Sequence, residues 1–396
     1  MSELLTIEEA LARVLARVRP LPAERVPVTQ AAGRVLAEDV VARVDLPPFR
    51  SSAMDGYAVR AEDTPGTLPV VFRIAAGIPA ARPLESGEAM AISTGGAVPE
   101  GADTVVQIEI VVERDNRLVI PDPASAGSNV RPVGGDVQRG DSLLAAGTSL
   151  GAAQLGALAA AGVVDVAAAR RPRVTVLSTG TELRAPGDVL GPGQIYESNG
   201  PMLAAAFAAA GAEVQLIGPV ADDEAEHRRA LEQGLGADVL VSSGGVSVGP
   251  HDLVRRILAQ LGVEEHFWGV KVRPGKPLAF GTRGDTLVFG LPGNPVSSLV
   301  AVELFVRPAL LALQGSVRPG PNYEFARLAT ALRRNPARDE LVRARKARDE
   351  NGTLLEPLSG QESHMIARAA AADALILVPA GSGELAAGEP ARYLRL

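Results

Sequence analysis

Cysteine is absent from the 396 residues. Disulfides, thiolate nucleophiles, zinc fingers and iron–sulfur ligation are therefore excluded, and the redox compartment is left open. Histidine is scarce. His227, His251, His266 and His364 stand at no metal-ligand spacing, and no Walker loop occurs. The pattern Gly-x-Ser-x-Gly is present at residues 147–151 and 245–249, within glycine-rich stretches, and identifies no reaction by itself. Histidine–metal hydrolysis and P-loop chemistry drop out. Positive charge is short as well: 39 Lys and Arg face 46 Asp and Glu, a net charge of -7. No nucleic-acid partner is expected from that balance, and any anionic ligand must be held by local donors. Long apolar runs free of charged or polar residues are missing too. The most membrane-like stretch, residues 150–169, is interrupted by Gln154 and Asp165 and reads as a packed helix and turn. No charged segment followed by an apolar one opens the chain. The expectation is a cytoplasmic protein without a membrane partner.

What is present suffices for several cores. Hydrophobic residues make up 46% and charged residues 21%, a globular composition, and at about 100–200 residues per domain the length suggests more than one unit. With 42 Gly and 30 Pro, many loops are implied. From Arg171 to Gly315, apolar segments alternate with helical patterns: Val174–Leu177, Pro201–Ala210, Val214–Ile217, Asp222–Leu235, Val239–Val241, Asp252–Leu261 and Leu287–Phe289. That rhythm predicts a doubly wound α/β domain with a largely parallel sheet. Ser198/Asn199 and Asn294 are the expected caps, Pro295 opens its helix, and Arg307–Pro308 should end or kink it.

Ahead of this domain, Val70–Ile74, Ala89–Ile92, Thr104–Ile108 and Leu118–Ile120 read as short strands between Gly/Pro turns. A β-rich domain is expected there, flanked by helical Leu4–Val18 and Leu150–Ala161, which would pair as one discontinuous domain. Past Gly320, Tyr323–Leu328, Leu341–Ala347, Leu354–Leu358 and Leu375–Val378 suggest a compact β module. The fold class is thus multidomain α/β plus β, with divisions at 1–45 with 139–169, 46–138, 170–318 and 319–396.

Ala237-Asp-Val-Leu-Val-Ser-Ser-Gly-Gly-Val-Ser-Val-Gly249 is an apolar strand entering a glycine loop. Its backbone N–H groups, at Gly244, Gly245 and Ser247 among others, suit phosphate or pterin oxygens. A lone glycine loop is as often only a tight turn. Three carboxylates, Glu182, Asp222 and Asp252, are expected at the carboxyl edge of the first three strands, where α/β sheets bind ligands. Converging there, they would share a cation, and Mg²⁺ bridging phosphates fits hard oxygen ligands. Taken singly, Asp222 and Asp252 read better as helix N-caps.

Lys271-Val-Arg-Pro-Gly-Lys-Pro277 sets Arg273 and Lys276 around a rigid turn, a donor cluster for an oxyanion or merely a solvated basic turn. Leu291-Pro-Gly-Asn-Pro-Val-Ser297 leads into a helix N-terminus whose dipole also favours an anion. In the β-rich part, Asp55-Gly56 and the loop Ile92-Ser-Thr-Gly-Gly-Ala-Val-Pro-Glu-Gly101 read as turns that identify no reaction by themselves.

Together the phrases Pro-Pro-Phe-Arg-Ser-Ser-Ala-Met-Asp-Gly-Tyr-Ala, Ser-Thr-Gly-Thr-Glu-Leu, Ser-Ser-Gly-Gly-Val-Ser-Val-Gly, Arg-Pro-Gly-Lys-Pro and Leu-Pro-Gly-Asn-Pro-Val-Ser resemble, in order and spacing, the molybdopterin molybdenumtransferase (MoeA-type) family, which is related to the gephyrin E domain. The resemblance spans almost the whole chain. It implies an α/β molybdopterin-binding domain, an elongated discontinuous domain for dimerisation, and a small C-terminal β-barrel-like domain. It implies a homodimer that inserts molybdate into adenylylated molybdopterin with Mg²⁺ present and releases AMP, each substrate lying between the α/β domain of one subunit and the β-rich domain of the other. A molybdopterin adenylyltransferase and recipient molybdoenzymes are the protein partners it suggests. Carried residue by residue, family positions fall on Asp55, Thr94, Arg131, Asp136, Glu182, Asp222, Asp252, Arg273, Lys276, Pro292 and Pro295, with Arg343 and Ser363 as an anion-binding pair. Asp55, Thr94, Asp136, Glu182 and Asp252 are the expected catalytic positions.

Departures from the family pattern are Gly269 and Arg273, where lysines are usual, and Thr94-Gly-Gly-Ala97 in place of Thr-Gly-Ala-Pro. Lys271 is a candidate for the missing charge, and the second glycine is expected to loosen the Thr94 loop. The rivals are an adenylyltransferase that makes the activated pterin, which would consume ATP, and a non-enzymatic scaffold that binds molybdopterin and a partner.

Overall fold

The computed structural model describes residues 4–221, 223–244 and 253–396. The α/β unit is built on a six-stranded sheet in which Glu213–Val220, Arg173–Thr179, Val239–Ser243 and Thr286–Leu291 run parallel, in that order across the sheet. Two antiparallel strands, Ala279–Arg283 and Glu264–Trp268, complete one edge. Arg173–Thr179 and Val239–Ser243 are buried along nearly their whole length, as expected of strands covered on both faces. The order reverses between Arg173–Thr179 and Val239–Ser243, because the first crossover runs one way and the next runs back. A doubly wound sheet opens its ligand crevice at such a switch point.

The caps differ from expectation in detail. Helix Asn199–Ala209 receives its first-turn hydrogen bond from Glu197, whose Oε1 accepts the Gly200 N–H at 2.7 Å, while Ser198 makes no side-chain cap. Helix Glu224–Gly234 is capped by Asp223, which accepts the Glu226 N–H at 2.9 Å. Arg307–Pro308 does not end the helix that Pro295 begins. The preceding stretch Val302–Val306 is π-helical, and Arg307–Leu313 continues as α-helix. The wider turn accommodates a proline that has no N–H to donate and whose ring crowds the carbonyl one turn back. Among the described residues this helical run, Pro295–Leu313, is long and apolar enough to cross a membrane, yet 72% of it is buried inside the protein.

The N-terminal helix, Ile7–Leu15, is a correction. Expected to pair with the segment around 150–161, it packs instead on the long helix of the α/β unit, burying Ile7, Ala10 and Val14 in that core. A capping box fixes its start: Thr6 Oγ1 accepts the Glu9 N–H at 3.1 Å and Thr6 N–H donates to the Glu9 carboxylate at 2.8 Å. The discontinuous unit begins only at strand Ala23–Pro27, which pairs antiparallel with Asp165–Ala169. Helix Ala152–Ala160 packs into its core of Val26, Leu36, Leu150, Leu158 and Val166.

The β-rich part is a mixed six-stranded sheet, in order Thr104–Gln107, Gly56–Val59, Ala89–Ile92, Gly66–Ile74, Arg117–Ile120 and Val112–Arg114. Its last hairpin turns on Asp115 and Asn116, both at positive φ, as a two-residue turn between twisted strands requires. At the C-terminus Tyr323–Leu328, Asp339–Asp349, Gly352–Pro357, Ala374–Val378 and Pro390–Arg395 close into a five-stranded barrel. Closure depends on the long strand Asp339–Asp349, which pairs with Ala374–Val378 over one half and with Gly352–Pro357 over the other. Its first residues also pair with Val272–Arg273, docking the barrel on the α/β unit.

Candidate functional site

A cleft of about 860 Å³ lies at the carboxyl ends of the parallel strands, within the size range of small-molecule and cofactor sites. Ser178, Thr179 and Gly180 enter it from the first strand, Ser243 and Gly244 from the third, and Pro292, Gly293, Asn294 and Pro295 from the strand before the long helix. Gly244 sits at φ +91°, and a Cβ there would stand 3.0 Å from the Thr179 carbonyl. Glycine is what lets the two strand ends approach at the switch point.

Asn199 ties these strand ends together. Its Nδ2 donates to Ser243 Oγ and to the Gly293 carbonyl, each at 2.7 Å. The carbonyl accepts only, so the amide orientation is settled. Its Oδ1 is buried and has no partner among the described residues, an acceptor available to a ligand N–H. Glu197 beside it is committed to Gly200. Glu182, by contrast, is an exposed carboxylate lining the same cleft. Trp268, His227 and Lys276 complete the walls. His227 Nδ1 lies 2.9 Å from the Asp223 carbonyl. Asn199, His227 and Trp268 were not singled out for the site from sequence; Asn199 carried only a capping signal.

The expected site residues fall into two groups. Glu182, Gly244, Lys276, Pro292 and Pro295 line the cleft, and Ser363 reaches its rim by accepting from Asn294 Nδ2 at 2.8 Å. Asp55, Thr94, Arg131 and Asp136 gather elsewhere, around segment 46–55. Thr94 donates its N–H and hydroxyl to Asp55, strand Val130–Arg131 pairs with Ser51–Ser52, and the Asp136 N–H donates to the Leu46 carbonyl. None of these four lines the cleft. The loop after Thr94 is pinned rather than loosened: Gly95 N–H bonds the Ser52 carbonyl at 2.8 Å and Gly96 carbonyl accepts from Ser52 at 2.9 Å. Asp222, Gly245, Ser247 and Asp252 lie outside the described residues.

Four expectations are corrected. Arg343 is 1% exposed, and its guanidinium is spent on the carbonyls of Gly360, Glu362 and Met365. It braces the loop that carries Ser363 and has no free face for an anion. Burial pushes its pKa below the ordinary arginine value. Arg273 points away from Lys276: it pairs with Glu340 at 3.0 Å and lines a different cavity. The helix beginning at Pro295 offers fewer donors than its dipole suggested, because proline has no N–H and the Val296 N–H donates to the Ser363 carbonyl at 3.1 Å. Lys271 does not line the cleft; its charge acts on Glu9 of the N-terminal helix. Gly269 explains why lysine is missing there. At φ +89°, a Cβ would stand 2.5 Å from Leu4 Cδ2, where the N-terminal segment bridges to Val270.

With Asp222 and Asp252 outside the described residues, Glu182 is the member of the expected metal set whose position is described. Among the described residues no cluster of three or more acidic or histidine side chains forms a metal cage. One exposed carboxylate lining a cleft large enough for a phosphorylated ligand still fits Mg²⁺, which is held by one or two carboxylates plus substrate phosphates and water.

Comparison with known proteins agrees across the chain. Residues 5–162 match the MoeA N-terminal region (domain I and II), 175–312 a probable molybdopterin binding domain, and 326–396 the MoeA C-terminal region (domain IV). The chain is 38% identical to molybdopterin molybdenumtransferase 2 of Mycobacterium tuberculosis, covering 96% of each, and 34% identical to the molybdopterin molybdenumtransferase of Haemophilus influenzae, covering 98% of this chain and 97% of that one. Two crystal structures of a molybdopterin biosynthesis MoeA protein from Pyrococcus horikoshii superpose over nearly the full length, with TM-scores of 0.83 at 29% identity and 0.76 at 34%. The chain belongs to the MoeA family of molybdopterin molybdenumtransferases.

Proposed function

We propose that this protein inserts molybdate into adenylylated molybdopterin and releases AMP, the step that completes the molybdenum cofactor. The cleft at the switch point of the α/β sheet carries this reading. It combines strand-end hydroxyls and a glycine turn for the phosphates, Lys276 for negative charge, and Asn199 Oδ1 as an acceptor for a ring N–H. Trp268 and Pro292 supply apolar wall for a flat heterocycle. In a chain of net charge -7, such local donors are what hold a divalent oxyanion beside a phosphorylated ligand. The protein's contribution is chiefly positioning and electrostatics.

Glu182, together with Asp222 and Asp252, would hold Mg²⁺. When bound, the ion neutralises charge on the phosphate link from which AMP departs. The group around Asp55 would reach a cleft in a two-fold dimer held by the discontinuous unit, each cleft being closed by the partner's β-rich sheet. A cytoplasmic location is part of the same reading.

The test is incubation of the purified chain with adenylylated molybdopterin, Mg²⁺ and molybdate, following AMP. AMP release that depends on molybdate is expected. Molybdate-independent release, or consumption of ATP with unmodified molybdopterin, would overturn the reading in favour of hydrolysis or adenylyl transfer. Mg²⁺ binding is checked separately by titration of Glu182→Gln against wild type, where weakened binding of the ion is expected.

A further inference from the structure

A second cavity, of about 480 Å³, opens where the barrel docks on strand Val272–Arg273. Arg273, Arg333, Arg334 and the Gly381–Gly383 segment line it. Its carboxylate, Glu340, is already committed: Oε1 accepts from Arg273 at 3.0 Å and from Asn335 Nδ2 at 2.9 Å. Among the described residues, no ion pair or side-chain hydrogen bond holds the guanidinium of Arg333 or of Arg334. Arg333 could be an ordinary solvated surface arginine. Arg334 is not: it is half-buried, and its Nε is shut from solvent with no acceptor among the described residues, which leaves the guanidinium short of acceptors. Gly381 permits it: a Cβ there would stand 3.3 Å from Arg334 Nη1, so the guanidinium lies against bare backbone.

We propose that this cavity is an oxyanion-binding site distinct from the cleft, in which the forks of Arg333 and Arg334 grip a tetrahedral dianion while Arg273 neutralises Glu340, the carboxylate that shares the cavity. Arginine forks match the oxygen spacing of such anions, and two unpaired forks in a confined space give a stronger site than isolated surface charges. The ligand is either a free oxyanion such as molybdate or the phosphate of a nucleotide, and the cavity volume admits both. The assignment does not depend on the activity proposed above.

Equilibrium dialysis of the full-length protein without pterin, using molybdate, sulfate and AMP as separate probes, tests it. Wild type should bind a tetrahedral oxyanion, and Arg333→Gln with Arg334→Gln should weaken that binding at least tenfold, whereas Lys276→Ala should retain it. Arg333→Gln alone, at an exposed position, should weaken binding several-fold without lowering the melting temperature, which guards against misfolding of the double variant. Arg334→Lys should fail to restore full affinity, since charge without the fork is insufficient. Binding of AMP in preference to molybdate identifies a phosphate ester as the ligand; the reverse identifies the free oxyanion. The proposal is overturned if wild type binds none of the probes, if the double variant binds as wild type does, or if Lys276→Ala removes all binding.

Discussion

Thr94 donates both its backbone N–H and its hydroxyl to Asp55 Oδ1, at 2.7 and 3.1 Å, across 39 residues of sequence. One carboxylate oxygen is thereby fixed. Thr94→Val keeps the backbone donor and removes the hydroxyl, so it should lower kcat/KM by about tenfold, the scale of one hydrogen bond to a charged group. Asp55→Asn should cost more. Equal rates for wild type and both variants in the AMP-release assay would remove Asp55 from the reaction.

Lys276 and Arg343 should separate in function although both were expected to hold molybdate. Arg343→Met removes a buried brace that donates to three carbonyls and should destabilise the fold by about 2–4 kcal/mol. Lys276→Ala should leave the melting temperature unchanged and raise the molybdate concentration for half-maximal rate. A stable Arg343→Met protein with impaired molybdate binding would reverse the assignment.

The α/β sheet and the barrel were legible because their strands are apolar runs punctuated by Gly and Pro, a signal carried by adjacent residues. Side-chain direction was not legible in the same way. Arg273 and Lys276 share one short turn, yet pairing of Val272–Arg273 with the barrel sends Arg273 to Glu340 while Lys276 enters the cleft. Arg343 entered as an anion donor through the family resemblance; its partners here are carbonyls, and backbone leaves no mark in sequence. The N-terminal helix showed its apolar stripe but not which core would receive it. Asn199 was visible only as a cap, since its acceptors, Ser243 and Gly293, lie 44 and 94 residues away.

That clamp carries its own prediction. Asn199→Ala leaves Ser243 Oγ and the Gly293 carbonyl without their donor and removes the buried acceptor Oδ1. A stability loss of about 1–3 kcal/mol is expected from the unpaired groups, together with weaker pterin binding. Calorimetric titration with molybdopterin would expose the error if affinity were unchanged.

Asp238 gives a pH dependence. Burial raises its pKa, but bidentate pairing with Arg170 at 2.7 Å and the Arg173 N–H at 2.8 Å outweigh that and hold the carboxyl below its ordinary value. A carboxylate depressed in the folded state contributes stability that is complete above its unfolded pKa of about 3.9 and is lost as pH falls through the folded value. Asp238→Asn should therefore be less stable than wild type at neutral pH, and the gap in urea midpoint should narrow steadily below about pH 4. A gap independent of pH would mean that packing, not charge, is what the substitution removes.

The sharing of each site between two chains is tested by complementation. Asp55 does not line the cleft that Glu182 lines, so in a two-fold dimer each functional site would take Asp55 from one subunit and Glu182 from the other. Homodimers of Asp55→Ala or of Glu182→Ala then contain no intact site. A mixed dimer contains one intact site and one that lacks both carboxylates, because the isologous arrangement puts both lesions at the same place. Random reassociation of equal amounts makes about half of the dimers mixed, so activity should recover to roughly a quarter of wild type. Joint unfolding and refolding ensures that subunits exchange, and native mass spectrometry counts the mixed species. Confirmed mixed dimers as inactive as either parent would place both carboxylates in a site within one chain, and the Asp55 group would then need another route to the cleft.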